Sequence, residues 1–296
     1  MDAQIFGMLN IAYHRLMLTD NFRMEFFAGC FDKLIKPGCR VTDLGAGTGI
    51  LSFMAASRGA SVTAVEYDEF NYRNLCRNIE ANDLKDKVRA LNTDAKNIVL
   101  DGPQDFLICE MCHCGFMVEQ QFPVINAFMS SHFKKFCSVP LVIPGCAILE
   151  FDLINCDYEF YGHNVKSAHY EDPYSKAESG VKAYCASVIY YEADYYKNMV
   201  QQENIKASGL VTITRSGIIN TLRLKLLVYQ SPETKRFEKL SDFWALNNIH
   251  FPLEDEIEVN EGDAFNYAVE YRAGCGLQDF KFSLRGREGR ETGIII

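Results

Sequence analysis

The chain has 296 residues, 48% of them hydrophobic and 23% charged, the balance of a globular protein with room for one large or two ordinary domains. Its formal charge of −9 argues against nucleic acid, whose binders carry a basic face, and is compatible with a cationic partner. The 11 cysteines are an odd number, Met1–Leu18 lacks the basic start of a secretory signal, and no run is long and apolar enough to span a membrane. These features predict reduced thiols in a cytoplasmic protein.

Residues 1–20 predict an N-terminal helical segment that passes into Tyr13-His14-Arg15-Leu16-Met17-Leu18-Thr19-Asp20. Asp20 can cap a new helix, with Arg23 one turn in, followed by Met24, Phe26, Phe27 and Phe31. After the Pro37-Gly38 turn, Val41–Glu66 reads as strand, glycine-rich turn, helix and strand. A further helix is expected over about Glu69–Asn82, with Phe70, Leu75 and Ile79 inward. Val88–Asn92 and Asp105–Cys109 read as strands, and Phe122-Pro123 opens a helix whose buried face runs from Val124 to Phe136 and includes His132 as a core histidine. Leu141–Ile143 is another strand. Beyond it strands dominate: Val211–Thr214, Leu222–Tyr229, Ile257–Val259, Phe265–Tyr271 and Phe280–Leu284. Phe265, Tyr267, Val269 and Tyr271 alternate as in a half-buried strand. The pattern predicts an α/β domain over 1–140 and an all-β domain over 141–296.

The turn Gly45-Ala46-Gly47-Thr48-Gly49 lets backbone amides approach a ligand, and Glu66 ends the second strand, placed to accept both hydroxyls of a ribose. Ile50 stands where the dinucleotide fingerprint needs its third glycine, which argues against NAD. With Asp43 two residues before the first glycine, the stretch resembles motif I of the S-adenosyl-L-methionine (SAM) dependent methyltransferases. Ala46, Ile50 and Leu51 belong to the same expected contact set, as does Tyr67 after Glu66. Asp94 lies where SAM enzymes often place an acid near the adenine amino group, with Ala95 beside it; a loop-capping aspartate is the alternative. Glu110 and Glu119 flank a loop at the end of a parallel strand, and two carboxylates there could grip a guanidinium. Two solvated loop acids are the alternative.

The order of these motifs resembles the protein arginine methyltransferases. His14, Met17, Leu18, Asp20 and Arg23 match the family's H-x-x-M-L-x-D-x-x-R segment, and Glu110 and Glu119 have the spacing of its double-glutamate loop. Trp244 and Ile257–Asp263 resemble its terminal β-barrel. The resemblance implies a Rossmann-like SAM-binding domain followed by a barrel-like domain, with SAM as methyl donor and S-adenosyl-L-homocysteine as product. It implies that Arg23 pairs with the SAM carboxylate, that His14 lies near the active site, and that Glu110 and Glu119 are catalytic, Glu110 also facing the cofactor. The implied acceptor is an arginine-containing protein or peptide. A small-molecule acceptor, or an inactive partner subunit of another methyltransferase, is the alternative.

The departures are equally specific. The family's Y-F-x-x-Y motif should fall near residues 4–8, which read Gln4-Ile5-Phe6-Gly7-Met8, and its T-H-W loop keeps only the tryptophan in Asp242-Phe243-Trp244. The glutamate loop lacks the usual tryptophan and early glycine. The segment from Phe151 to Val181 is short for the helical arm through which the family dimerises. Cys109, Cys112, His113 and Cys114 look metal-like, but their spacing is tight and no second ligand pair follows, so no metal is expected. His250 could replace the family's missing histidine, or be a loop residue without a role.

Overall fold

The computed structural model describes residues 14–171, 181–231, 248–286, 289 and 291–296. Residues 4–8 and Asp242-Phe243-Trp244 therefore lie outside the described residues. A short helical run over 14–19 leads to Asp20, whose Oδ1 accepts from Arg23 N at 2.9 Å and caps helix α1 (Asn21–Leu34). Arg23, Phe26, Phe27, Cys30 and Phe31 are its buried face, the i, i+3, i+4, i+7, i+8 stripe of an amphipathic helix.

Five strands then form a parallel sheet: β1 (Arg40–Leu44), β2 (Ser61–Glu66), β3 (Val88–Asn92), β4 (Phe106–Cys109) and β5 (Leu141–Ile143), in the order β3-β2-β1-β4-β5. Helices α2 (Ile50–Ser57), α3 (Glu69–Ala81) and α4 (Gln121–Phe136) connect them. The order reverses between β1 and β4, and a crevice opens beyond the strand ends at such a switch point. Leu44 pairs with Cys109 there, so the glycine turn and Glu110 leave the sheet side by side. Leu75 and Ile79 point inward from α3, but Phe70 is 55% exposed. The buried stripe is Asn71, Leu75 and Ile79, and Phe70 falls one residue outside its four-residue spacing.

The remaining strands are antiparallel: β6 (Cys146–Ile154), the small β7 (Glu159–Phe160) and β8 (His163–Asn164), then β9 (His169–Tyr170), β10 (Val188–Asp194), β11 (Asn204–Thr212), β12 (Gly217–Tyr229), β13 (Ile249–Val259), β14 (Ala264–Arg272), β15 (Lys281–Arg285) and β16 (Glu291–Thr292). They make a five-stranded sheet, β10-β6-β12-β13-β9, and a four-stranded sheet, β11-β14-β15-β16. Phe151 joins the two inner faces, with ring centroids 5.0 Å from Tyr267 and 5.4 Å from Phe282. The alternation from Phe265 to Tyr271 is observed as expected. Strand β6 has no period-two signal because eight of its nine positions are buried, as in a strand covered on both faces. No helix among the described residues is long and apolar enough to cross a membrane.

His250 belongs to β13, not to a loop, and is wholly buried. Its Nδ1 lies 3.6 Å from Cys156 Sγ and its Nε2 3.8 Å from Glu171 Oε2. On the same face Arg223 donates twice to Asp152, at 2.9 and 2.7 Å, and Lys225 Nζ lies 2.6 Å from Asp152 Oδ2. Removing the shared acid leaves both half-buried cations without it, so Asp152→Ala should lower the unfolding free energy by about 2 kcal/mol. Urea titration checks this; a variant as stable as the wild type contradicts it.

Candidate active site

Residues from three chain segments meet in one cavity at the switch point. Arg23 comes from α1, Asp43 and the glycine turn from the end of β1, and Glu110 and Glu119 from the loop after β4. His14 also lines it. The turn needs its glycines, since φ is +75° at Gly45, +54° at Gly47 and +91° at Gly49. It also needs the space: a methyl on Gly47 would sit 2.8 Å from His14 Cε1.

Glu66 secures the turn, accepting from Gly47 N at 2.8 Å with Oε2 and from Asp68 N at 2.9 Å with Oε1. Burial pushes its carboxyl above the ordinary range while these N–H groups oppose the shift. Asp43 accepts from Ser52 Oγ at 2.6 Å and is pushed up to about 6, first by burial and further by Glu110 and Glu66. His14 is shifted downward, first by burial and then by the charge of Arg23.

Arg23 and Glu110 are joined directly. Arg23 Nη2 donates to Glu110 Oε2 at 2.5 Å, with the two side chains 5% and 6% exposed. The guanidinium also lies 5.5 Å from the Phe27 ring centroid, a cation–π arrangement. Glu110 Oε1 is buried with no hydrogen-bond partner among the described residues. Glu119 lines the same cavity. Its carboxyl is pushed up to about 8, first by burial and then by Glu110, with Arg23 pulling the other way.

The loop between the glutamates is shaped by the β half. Tyr271 Oη donates to Gly115 O at 2.7 Å, Gly274 N to Phe116 O at 2.9 Å and Gly276 N to Met117 O at 2.8 Å. His113 Nε2 lies 2.6 Å from Tyr170 Oη. Cys109, Cys112 and Cys114 are buried thiols, all pushed upward by burial.

Ala46, Ile50 and Leu51 line the cavity. Glu66, Asp94, Ala95 and Tyr67 do not. Asp94 Oδ1 accepts from Lys96 N at 2.9 Å, the loop-capping arrangement, and Tyr67 is 76% exposed. His132 is a core histidine, accepting from Gln104 N at 2.9 Å. Sequence reasoning missed Met111, which lines the cavity and packs against Gly45, because nothing in its spacing marks it. It also missed Asn92, whose Nδ2 donates to Glu66 O and Tyr67 O; its place at the end of β3 was the available signal.

Residues 27–135 match the TRM5/TYW2 methyltransferase domain. The chain is a SAM-dependent methyltransferase that resembles the protein arginine methyltransferases. Its architecture is that of the Arabidopsis thaliana protein arginine methyltransferase 10 structure, with a TM-score of 0.75 over 98% of this chain and 99% of that one at 16% identity. In sequence it is 24% identical to an uncharacterized protein of Methanocaldococcus jannaschii over 92% of this chain and 96% of that protein. It is 28% identical to Xenopus tropicalis protein arginine N-methyltransferase 6 over 149 residues, which span 49% of this chain and 43% of that relative. SAM is the cofactor of this methyltransferase, and the glycine cradle, which leaves no room for a side chain at Gly47, fits a ligand that approaches the backbone closely.

The raised Glu119 carboxyl has a stability consequence. From the usual value of 4.5 up to about 8 the folded state keeps a proton that the unfolded chain has lost. Stability therefore falls as pH rises through that window and levels above it. Glu119→Gln removes the effect, so the melting temperature of the variant should gain on the wild type between about pH 6 and about pH 8. A constant difference would contradict the raised carboxyl.

Proposed function

We propose that this methyltransferase transfers the methyl group of SAM to a guanidinium nitrogen of an arginine side chain in a protein or peptide. The observation that carries this reading is the charge balance of the cavity. Arg23 faces Asp43, Glu110 and Glu119, and Glu110 keeps a buried oxygen with no partner among the described residues. Leaving such an oxygen unpaired is costly, and a planar cation with several N–H donors satisfies it together with Glu119.

In this reading the Gly45–Gly49 turn and Glu66 hold the nucleoside part of SAM, Asp94 and Ala95 border its adenine, and Arg23 faces its carboxylate. SAM supplies an electrophilic methyl group on a sulfonium sulfur. Glu110, already fixed by Arg23, and Glu119, from the far end of the loop, grip the acceptor guanidinium. An arriving cation favours ionisation of Glu119, so the acid that is protonated at rest becomes a counter-charge when the acceptor binds. Concentrating positive charge on the nitrogens they hold leaves the remaining nitrogen with more lone-pair character. The gain comes from positioning and electrostatics rather than covalent chemistry.

Residues 1–140 would then supply the methyl donor site and 141–296 the walls that select the acceptor. In its described part, the segment from Phe151 to Val181 carries short strands rather than a helical arm, so a homodimer would be built on a reduced arm.

Glu119→Gln separates the roles. It should leave SAM affinity within about twofold and cut turnover on an arginine peptide by roughly a hundredfold or more. Calorimetry with S-adenosylhomocysteine and a radiolabel transfer assay measure the two. Undiminished turnover in the variant would overturn the acceptor assignment.

A further inference from the structure

His113, singled out in the sequence for its metal-like surroundings, has another role. It lies in the loop between the two glutamates, 5% exposed. Its Nδ1 is 2.9 Å from Cys114 O. A carbonyl oxygen can only accept, so Nδ1 carries the ring proton. Burial moves the imidazole down to about 4, so the ring is neutral at physiological pH and Nε2 presents a lone pair. Tyr170 Oη lies 2.6 Å from that nitrogen, and the phenol is therefore the donor. The rings stand at 80° with centroids 5.7 Å apart, an edge-on contact directed through this bond.

Tyr170 is well placed to act on the loop. Strand β9 fixes its backbone against β13, where Tyr170 pairs with Ile249. The next residue, Glu171, accepts from Asn248 Nδ2. Burial would raise the Glu171 carboxyl, but His250, Asn248 and Arg223 outweigh it and hold it down at about 2. The Tyr170 hydroxyl is itself pushed up to about 12, first by burial and then by Cys114 and Glu119. It thus stays protonated, within electrostatic range of Glu119. Among the other loop fastenings, Tyr271, Gly274 and Gly276 hold Gly115, Phe116 and Met117, and Gln121 Nε2 donates to Cys112 Sγ at 3.2 Å. The bond to His113 joins this last one in holding the half that begins at Glu110.

We infer that Tyr170 is a positioning residue for the carboxylate pair: by donating to the neutral ring of His113 it fixes the loop shape that sets Glu119 opposite Glu110. This rests on the acceptor reading above and adds to it a residue 51 positions beyond Glu119 (170 − 119), on the other half of the chain. The early loop position that lacks the family's glycine is then held by a bond of its own.

The test compares Tyr170→Phe, His113→Leu, the double variant and His113→Gln in the full chain, with labelled SAM and an arginine peptide. Each of the first two should lower kcat/KM by about tenfold, the equivalent of one net hydrogen bond. The double variant should be no worse than either single one, because both remove the same bond. His113→Gln, whose amide oxygen can accept from the phenol, should recover part of the loss seen in His113→Leu. S-adenosylhomocysteine affinity should stay close to wild type in Tyr170→Phe, and its melting temperature should fall by no more than about a few degrees. Wild-type turnover in Tyr170→Phe, additive losses in the double variant, or parallel loss of cofactor affinity and melting temperature would each overturn the inference. If the wild type itself transfers nothing to the peptide, the acceptor reading fails, and imidazole nitrogen NMR judges the clasp separately. An Nδ1–H tautomer whose Nε2 resonance moves in Tyr170→Phe supports it; an Nε2–H tautomer overturns it.

Discussion

The ion pair between Arg23 and Glu110 ties the first helix to the carboxylate loop across the mouth of the glycine cradle. At 2.5 Å, with both side chains almost wholly removed from water, it carries a large desolvation cost that only good geometry offsets. Phe27 beneath the guanidinium and the Asp20 cap at the start of α1 supply part of that geometry. The pair also sets the charge of everything around it. It spends the charge of Arg23 on one oxygen of Glu110, and Asp43 and Glu119 are pushed upward first by burial and then by Glu110 beside them, with Arg23 opposing both. In the proposed reading, a cavity in this condition favours a cationic acceptor.

The loop that carries these acids is built by one half of the chain and shaped by the other. Strand β4 delivers Glu110 to the switch point, where the order of a parallel sheet guarantees a crevice. From His113 to Met117 the loop is then held by groups on β9, on β14 and just beyond it. In the proposed reading the methyl donor site needs the parallel sheet, its turns and Arg23 of α1. The acceptor site of that reading depends on both halves, because groups of the β half hold the residues between the two glutamates.

The parts legible in the sequence are those encoded locally. The cap at Asp20 depends only on the first turn of α1, and the glycine turn and the bond of Glu66 to Gly47 only on neighbours within one strand–turn–helix–strand unit. The alternation of β14 was readable because one face is buried and the other is not. Strand β6 was not, because burial of nearly every position removes the alternation. Strand β13 was recognised only at its far end: Pro252 interrupts its first half, beside an irregularity in its pairing with β12. His250 was misplaced as a loop residue for the same reason. The joining of Arg23 to Glu110 across 87 positions, and of His113 to Tyr170 across 57, leaves no periodicity to read. Such pairs are products of the assembled fold.

The most direct measurement is the chemical identity of the methylated group. The full chain is incubated with methyl-labelled SAM and a cell extract, and the labelled material is digested and resolved by mass spectrometry. The charge balance of the cavity predicts label on the guanidinium nitrogens of arginine in a protein or peptide. Label on carboxylate, thiol or hydroxyl groups, with arginine unlabelled, would contradict it.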